Sequence, residues 1–571
     1  MNKHHKNTGY PVIYKYIALC IIIASVAYAV HYFNYMATPT EDFISNFRQK
    51  VLDIHAGKYP GASYNIMPVF PIVLAFLTKI NPFHFTHDSI YDTAILLNIL
   101  LFIPYMFLVY DIFRRFLEPR LSLAALLLLS VNINTAYTAV NAELEMLMTL
   151  LIVFAIWLSV RDSKFAYIPA FFASGIKYDS VFIIPAVMFR DFFLKRQRII
   201  TLVLGALSSA GVCLWLFLSV KYGNSYVSEI ASRGPNIYMF PIDCILTAAG
   251  FVPWTAMHGY ESSEHYFKIP LYAVSAIFTL FVLVILVRGV IFLFRQKRKE
   301  AVSILVFFSG FVLIHMIYQN TKTRYVLPIL CFMYLFMFYG LPGVSSLLRR
   351  LPVVKISAET SRMITRIFAF IAGAAFIAGT VVILFNLPAT LVIFSFVFTA
   401  LLSIIIFADG NKERKRNKIM LALCGCVIIN LSLFYGVRTM DHYSYRRVEF
   451  KEAALWYSAH SANSDRMLIS ITDMPMYYTG LPAKRFIGAT QLRSTTLDDL
   501  IKELHDEKVT HVFVDDFYIR RYRIKDPNSI EKKAWLFKDI RDKGEATKRF
   551  KQVAAFEPRA GIKSYMYRFI P

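Results

Sequence analysis

Long apolar runs alternate with short polar intervals along this chain until about residue 438, where the rhythm changes. A helix needs about 18 to 25 mostly apolar residues to cross a bilayer. Such runs, or close pairs of shorter ones, fall at 12–35, 90–113, 121–137, 143–160, 165–176, 180–194, 199–220, 271–294, 302–318, 325–339, 367–385, 390–408 and 419–437. They predict about thirteen transmembrane helices. Basic clusters (Lys3 and Lys6, Arg114 and Arg115, residues 195–198, 295–299 and 412–418) all fall on one side of that ladder. Cationic loops stay inside, so the N-terminus is expected inside and, after an odd number of crossings, the C-terminus outside.

Two polar intervals, 38–88 and 221–269, then become large outer loops. In the first, Phe43, Phe47, Val51 and Ile54 are spaced as the apolar face of an interfacial helix. Gly57, Pro60 and Gly61 end it, and Pro68 and Pro71 interrupt the next run, so 66–80 is too short to span. Beyond residue 438, helical periods at 447–460, 496–507 and 529–543 are interleaved with strand-like runs at 466–471, 509–514, 550–556 and 564–569. That order predicts a small α/β layer. The expected architecture is a polytopic α-helical membrane protein, with a membrane module over 1–437 and an extracytoplasmic α/β domain over 438–571.

Composition sharpens this in three ways. At 57% hydrophobic and 18% charged residues and a mean hydropathy of +0.49, the chain is too apolar for a soluble multidomain protein. The net charge of +24 is distributed between apolar runs, where span orientation accounts for it, so nucleic-acid binding is excluded. Six cysteines show neither a disulfide framework nor a zinc spacing. The first apolar run lacks a small-residue cleavage site and is expected to be retained as a span.

Candidate chemistry lies at the outer ends of spans. Glu41 and Asp42 follow the first run and read either as caps of the next helix or as a general base at the membrane surface. Glu143 and Glu145 open a later span, where Glu143 is either a cap or part of a site. Lys177, Tyr178 and Asp179 interrupt an apolar pair and read as a solvated turn or as functional charge at the lipid boundary. Lys322, Arg324 and Tyr325 precede another span and suit either an interfacial anchor or a grip on phosphate oxygens. His84, His87, His258 and His265 are in outer loops at spacings that fit no named metal pattern. The α/β segment has no paired acid and base and no Gly-rich phosphate loop; Gly480 reads as a turn, and Asp515 with Asp516 as a strand end.

Taken together, the acidic pair after the first span, the interfacial helix ending at Gly57 and the Tyr/Pro-rich stretch that follows resemble the GT-C class of membrane glycosyltransferases. The nearest resemblance is to bacterial relatives of the protein O-mannosyltransferases and to the lipid A aminoarabinose transferases. It implies transfer of a monosaccharide from a polyprenyl-phosphate carrier to an acceptor lipid, glycan or protein, with inversion, in the plasma membrane of a bacterium. By spacing, Asp42, fifteen positions before Gly57, matches the family's acidic residue, and Glu41 is the alternative. Residues 141–145 and 175–179 resemble family motifs on the active-site side, which makes Glu143, Glu145 and Asp179 supporting acids. Lys177, Lys322, Arg324 and Tyr325 are the donor-phosphate candidates. The match departs at Met67 to Pro71, where closer members carry a charged residue before the proline; no metal ligand is assigned, and a divalent cation is the one candidate cofactor. A polyprenyl-linked lipid or polysaccharide flippase is the alternative function, and a non-catalytic scaffold a third.

Overall fold

The structure is a computed structural model that describes residues 12–34, 36, 38–59, 66–195, 197–222, 239–250, 268–317, 323–340, 389–407, 425–426, 428–429, 432–433, 436, 447–516, 519, 531–559 and 562–571. The chain divides into two compact units, Met1–Phe33 with Lys50–Thr439, and Asn34–Gln49 with Met440–Pro571. The second unit thus takes in a piece of the first polar loop that no shift in composition marks.

In the first unit the apolar runs fold as helices, among them Val12–Phe33, Ser89–Phe116, Glu145–Val160, Arg198–Lys221, Lys268–Gln296, Arg298–Ile317, Leu327–Gly340 and Ala389–Phe407. Among the described residues, four helical stretches are long and apolar enough to cross a membrane, or five if one bent pair is a single span. The chain is polytopic and α-helical. The expected span at 367–385, and most of that at 419–437, lie outside the described residues.

The bent pair corrects one expectation. Residues 121–137, read as one continuous run, form Pro119–Val131 and Ile133–Val140, meeting at 60°. Asn132 stands at the break because its short amide can replace backbone partners. Its Oδ1 accepts from the Asn134 N–H at 3.0 Å, and its Nδ2 donates to Thr247 O at 2.7 Å and Tyr334 Oη at 3.1 Å. Within the 221–269 interval, Met239–Ala248 is helical and buries Phe240, Cys244 and Ala248.

Val69–Thr78 is a ten-residue helix, too short to cross, as its prolines suggest. The Val69 N–H donates to Gly175 O at 3.1 Å. A Cβ on Gly175 would fall 2.6 Å from Val69 Cγ2, so only glycine permits this approach beside the turn that carries Lys177.

In the second unit, β1 (Met467–Ile469), β2 (Phe486–Gly488), β3 (His511–Val514), β4 (Phe550–Arg559) and β5 (Ile562–Phe569) form one sheet in the order β2-β1-β3-β5-β4. The first three pair in parallel, and β5 joins β3 and β4 antiparallel. Helices Val448–His460, Leu497–Asp506 and Glu531–Lys543 match the periodic segments, while Asp473–Thr479 and the three-residue β2 are additions. The core includes Leu468, Leu500, Leu504, Val512, Val514, Phe537 and Ile540. Arg485, buried before β2, donates to Ser461 Oγ at 2.8 Å and Ala462 O at 2.6 Å, joining that edge to the end of the first helix.

Glu449 is buried in this unit. Burial, reinforced by the nearby Asp515, pushes its carboxyl up to about 8. The folded state therefore keeps a proton that the unfolded chain releases near 4.5, and stability falls as pH rises through that window. Glu449→Gln is expected to flatten this slope between pH 5 and pH 8, by on the order of 1–3 kcal/mol, in denaturant titrations of the full chain. In the membrane unit, Asn132→Leu leaves Asn134 N–H and Thr247 O without their partner; it is expected to cost about 2–4 kcal/mol, read as a lower unfolding midpoint in mixed micelles.

Candidate functional site

The turn between Ile133–Val140 and Glu145–Val160 carries two acids and is held from the side by Asn98. The Asn98 amide donates to Asn141 O at 2.5 Å and Glu143 O at 2.8 Å, fixing the carbonyls on either side of Ala142. Neither acid is left to cap the helix: no side chain caps Glu145–Val160. Glu143 instead pairs with Arg324 Nη1, and Glu145 Oε1 lies 3.2 Å from Arg324 Nε and 3.7 Å from Lys177 Nζ. Glu145 thus joins two cations that are far apart in sequence.

Lys177 also lies 3.2 Å from Asp179 Oδ2, and its ammonium is 3.6 Å from the centroid of the Tyr325 ring, within cation–π range. Arg324 faces the same ring at 5.6 Å. Burial acts to raise the Asp179 carboxyl, but Lys177 and His315 outweigh it and hold it at about 2. These side chains are buried or nearly so: Lys177 is 14% exposed, Arg324 12% and Glu143 1%. Neither a solvated turn at Lys177 nor an exposed anchor at Arg324 describes what is seen.

His315 completes the cluster. It was hidden in the apolar run at 302–318, where a lone ionisable residue was the one signal that could have found it. Its Nε2 lies 3.1 Å from Asp179 Oδ2 and its Nδ1 2.9 Å from Phe311 O. A carboxylate and a carbonyl thus flank the two ring nitrogens and hold the imidazole in place. Three carboxylates, Glu143, Glu145 and Asp179, then face Lys177, Arg324 and the His315 ring.

Glu41 and Asp42 belong to the other unit. They stand in the first turn of a helix that begins π-helical, Phe43–Arg48, and continues as Gln49–His55. The cap is Thr40: its Oγ1 accepts from the Phe43 N–H at 3.1 Å and its carbonyl from the Ile44 N–H at 3.1 Å. The capping role considered for the acidic pair is therefore taken. Glu41 Oε2 lies 3.4 Å from Arg447 Nη2, whose Nη1 is 3.3 Å from Asp515 Oδ2; the sequence marked Arg447 only as the start of a helix.

Lys322, His258 and His265 lie outside the described residues, and His84 and His87 are exposed. Among the described residues no three His, Cys, Asp or Glu side chains are arranged to hold a metal ion; Glu143, Glu145 and Asp179 turn toward cations rather than toward one point.

No protein-family model and no curated protein matches the chain. Solved structures do. ArnT from Cupriavidus metallidurans bound to undecaprenyl phosphate aligns over 99% of this chain and 99% of its own, with a TM-score of 0.52 and 12% identity. Its apo state gives 0.52 and 11% identity, over 99% of this chain and 98% of its own. The archaeal oligosaccharyltransferase AglB from Archaeoglobus fulgidus, in complex with an inhibitory peptide and a dolichol-phosphate, aligns over 96% of this chain and 74% of its own, with a TM-score of 0.50 and 12% identity. At such identity what is shared is the fold, and this chain has the fold of ArnT and AglB over nearly its whole length.

Proposed function

We propose that this protein is a glycosyltransferase that takes a monosaccharide from a polyprenyl-phosphate carrier and transfers it to a lipid, glycan or protein acceptor on the extracytoplasmic face of a bacterial plasma membrane. The observation that carries the reading is the convergence of Lys177 and Arg324, from separate segments, around Tyr325 and Glu145. Two largely enclosed cations within an apolar helical unit are what an anionic lipid headgroup requires. The fold is one in which undecaprenyl phosphate and dolichol-phosphate have been bound. The remaining topology belongs to the same proposal: about thirteen spans, N-terminus inside and α/β domain outside.

In this reading Lys177 and Arg324, with Lys322 as a further candidate, hold the donor phosphate, whose oxygens take the place of carboxylate oxygens on the two cations. Glu143, Glu145 and Asp179 keep those cations oriented and charge-balanced until the donor arrives. Asp42 removes the acceptor's proton; the acceptor oxygen bonds to the anomeric carbon as the bond from that carbon to the phosphate oxygen breaks, with inversion. The bonding electrons leave with polyprenyl phosphate, and the cations stabilise that charge. Asp42 is preferred to Glu41 by its spacing of fifteen positions from Gly57. No step is assigned to a metal.

A flippase is the second reading, and the broken helix at Asn132 favours it, since transporters place such breaks at their substrate sites. Incubation with labelled donor separates the two: release of polyprenyl phosphate supports the transferase, and movement across the bilayer without bond cleavage supports the flippase. Asp42→Asn is expected to lower transfer by about 10²–10⁴-fold, and Arg324→Gln or Lys177→Gln by about 10²–10³-fold with weaker donor binding. Full transfer by both Asp42→Asn and Glu41→Gln in purified protein sinks the base assignment.

A further inference from the structure

The α/β unit does more than contribute residues of its own, because it includes the loop segment that carries Asp42. Within that unit the two parts are joined through Arg447. Its side chain is 6% exposed, and a guanidinium so buried is retained only with partners for its charge. One arm reaches Asp515 at the end of β3, itself fully buried and also accepting from Ser470 Oγ at 3.4 Å. The other arm reaches Glu41, the residue next to Asp42. A planar fork can serve two carboxylates at a fixed angle, which an ammonium cannot.

A second contact secures the far end of the same segment: the Arg48 guanidinium lies 5.2 Å from the Tyr477 ring centroid. The π-helical turn Phe43–Arg48 is thus held at both ends by the α/β unit. Arg447 occupies the left-handed region, at φ +58°, where a side chain costs about 1 kcal/mol and glycine is at ease. What the position gains from arginine is therefore its guanidinium.

We propose that Arg447 is a positioning residue: by pairing with Asp515 and Glu41 it fixes the turn that presents Asp42. The proposal rests on the reading of Asp42 as the base and adds the group that places it. Hydrogen exchange on the full chain in micelles, followed over residues 40–48, tests it without reference to activity. Arg447→Gln and Glu41→Gln are each expected to speed exchange there about tenfold, and the double variant no more than either single one. Arg447→Gly, which relieves the backbone, should do the same. In the transfer assay, Arg447→Gln and Glu41→Gln are expected to lower kcat about 10- to 100-fold with the donor KM unchanged. Glu41 is 38% exposed, so its variant remains informative even where Arg447→Gln weakens the domain. Wild-type exchange in Glu41→Gln and in Arg447→Gln overturns the proposal and leaves Asp42 as base untouched. Full transfer by Asp42→Asn overturns the base and leaves the tether standing.

Discussion

Charge buried in an apolar helical unit must be paired, and the membrane part of this protein is arranged around that constraint. Removing an ammonium or a carboxylate from water costs several kcal/mol, which a well-placed partner offsets. Arg324 therefore stands against Glu143 and Glu145, and Lys177 against Glu145 and Asp179. His315 adds a ring nitrogen beside Asp179. The result is a compact cluster of opposite charges drawn from separate segments of the chain, with each cation held between carboxylates.

The backbone around this cluster is irregular, and each irregularity has a polar side chain that sustains it. Asn132 supports the break between two half-helices. Asn98 holds the turn that carries Glu143 and Glu145, and Gly175 lets the Lys177 turn approach Val69. Non-helical backbone inside an apolar unit is tolerated where protein groups satisfy it, and here those groups also aim the charged side chains.

The α/β unit follows the same principle with different partners. Buried Asp515 and Glu449 crowd one end of the sheet; Glu449 meets the crowding by holding its proton, and Asp515 by pairing with Arg447. Because Arg447 also reaches Glu41, the electrostatic solution that stabilises the domain is the one that ties the loop segment to it.

The sequence by itself determined the class of molecule and most of its helices. Apolar runs of span length are set by the solvent they must meet, and a period of 3.6 or 2 is written locally, so helices at 90–113 and 496–507 were legible from residues alone and are seen as Ser89–Phe116 and Leu497–Asp506. It also singled out Lys177, Arg324, Glu143 and Glu145 as candidate charges, without choosing between a site and a cap, a turn or an interfacial anchor. β2, three residues long, was too short to leave a period. Gly480, read as a turn, caps the helix Asp473–Thr479 at φ +67°. Which charge meets which was decided only by the tertiary structure. Arg324 finds Glu143, His315 finds Asp179 and Arg447 finds Glu41 across 181, 136 and 406 positions, because Coulomb energy depends on distance in space and burial, neither of which spacing along the chain records.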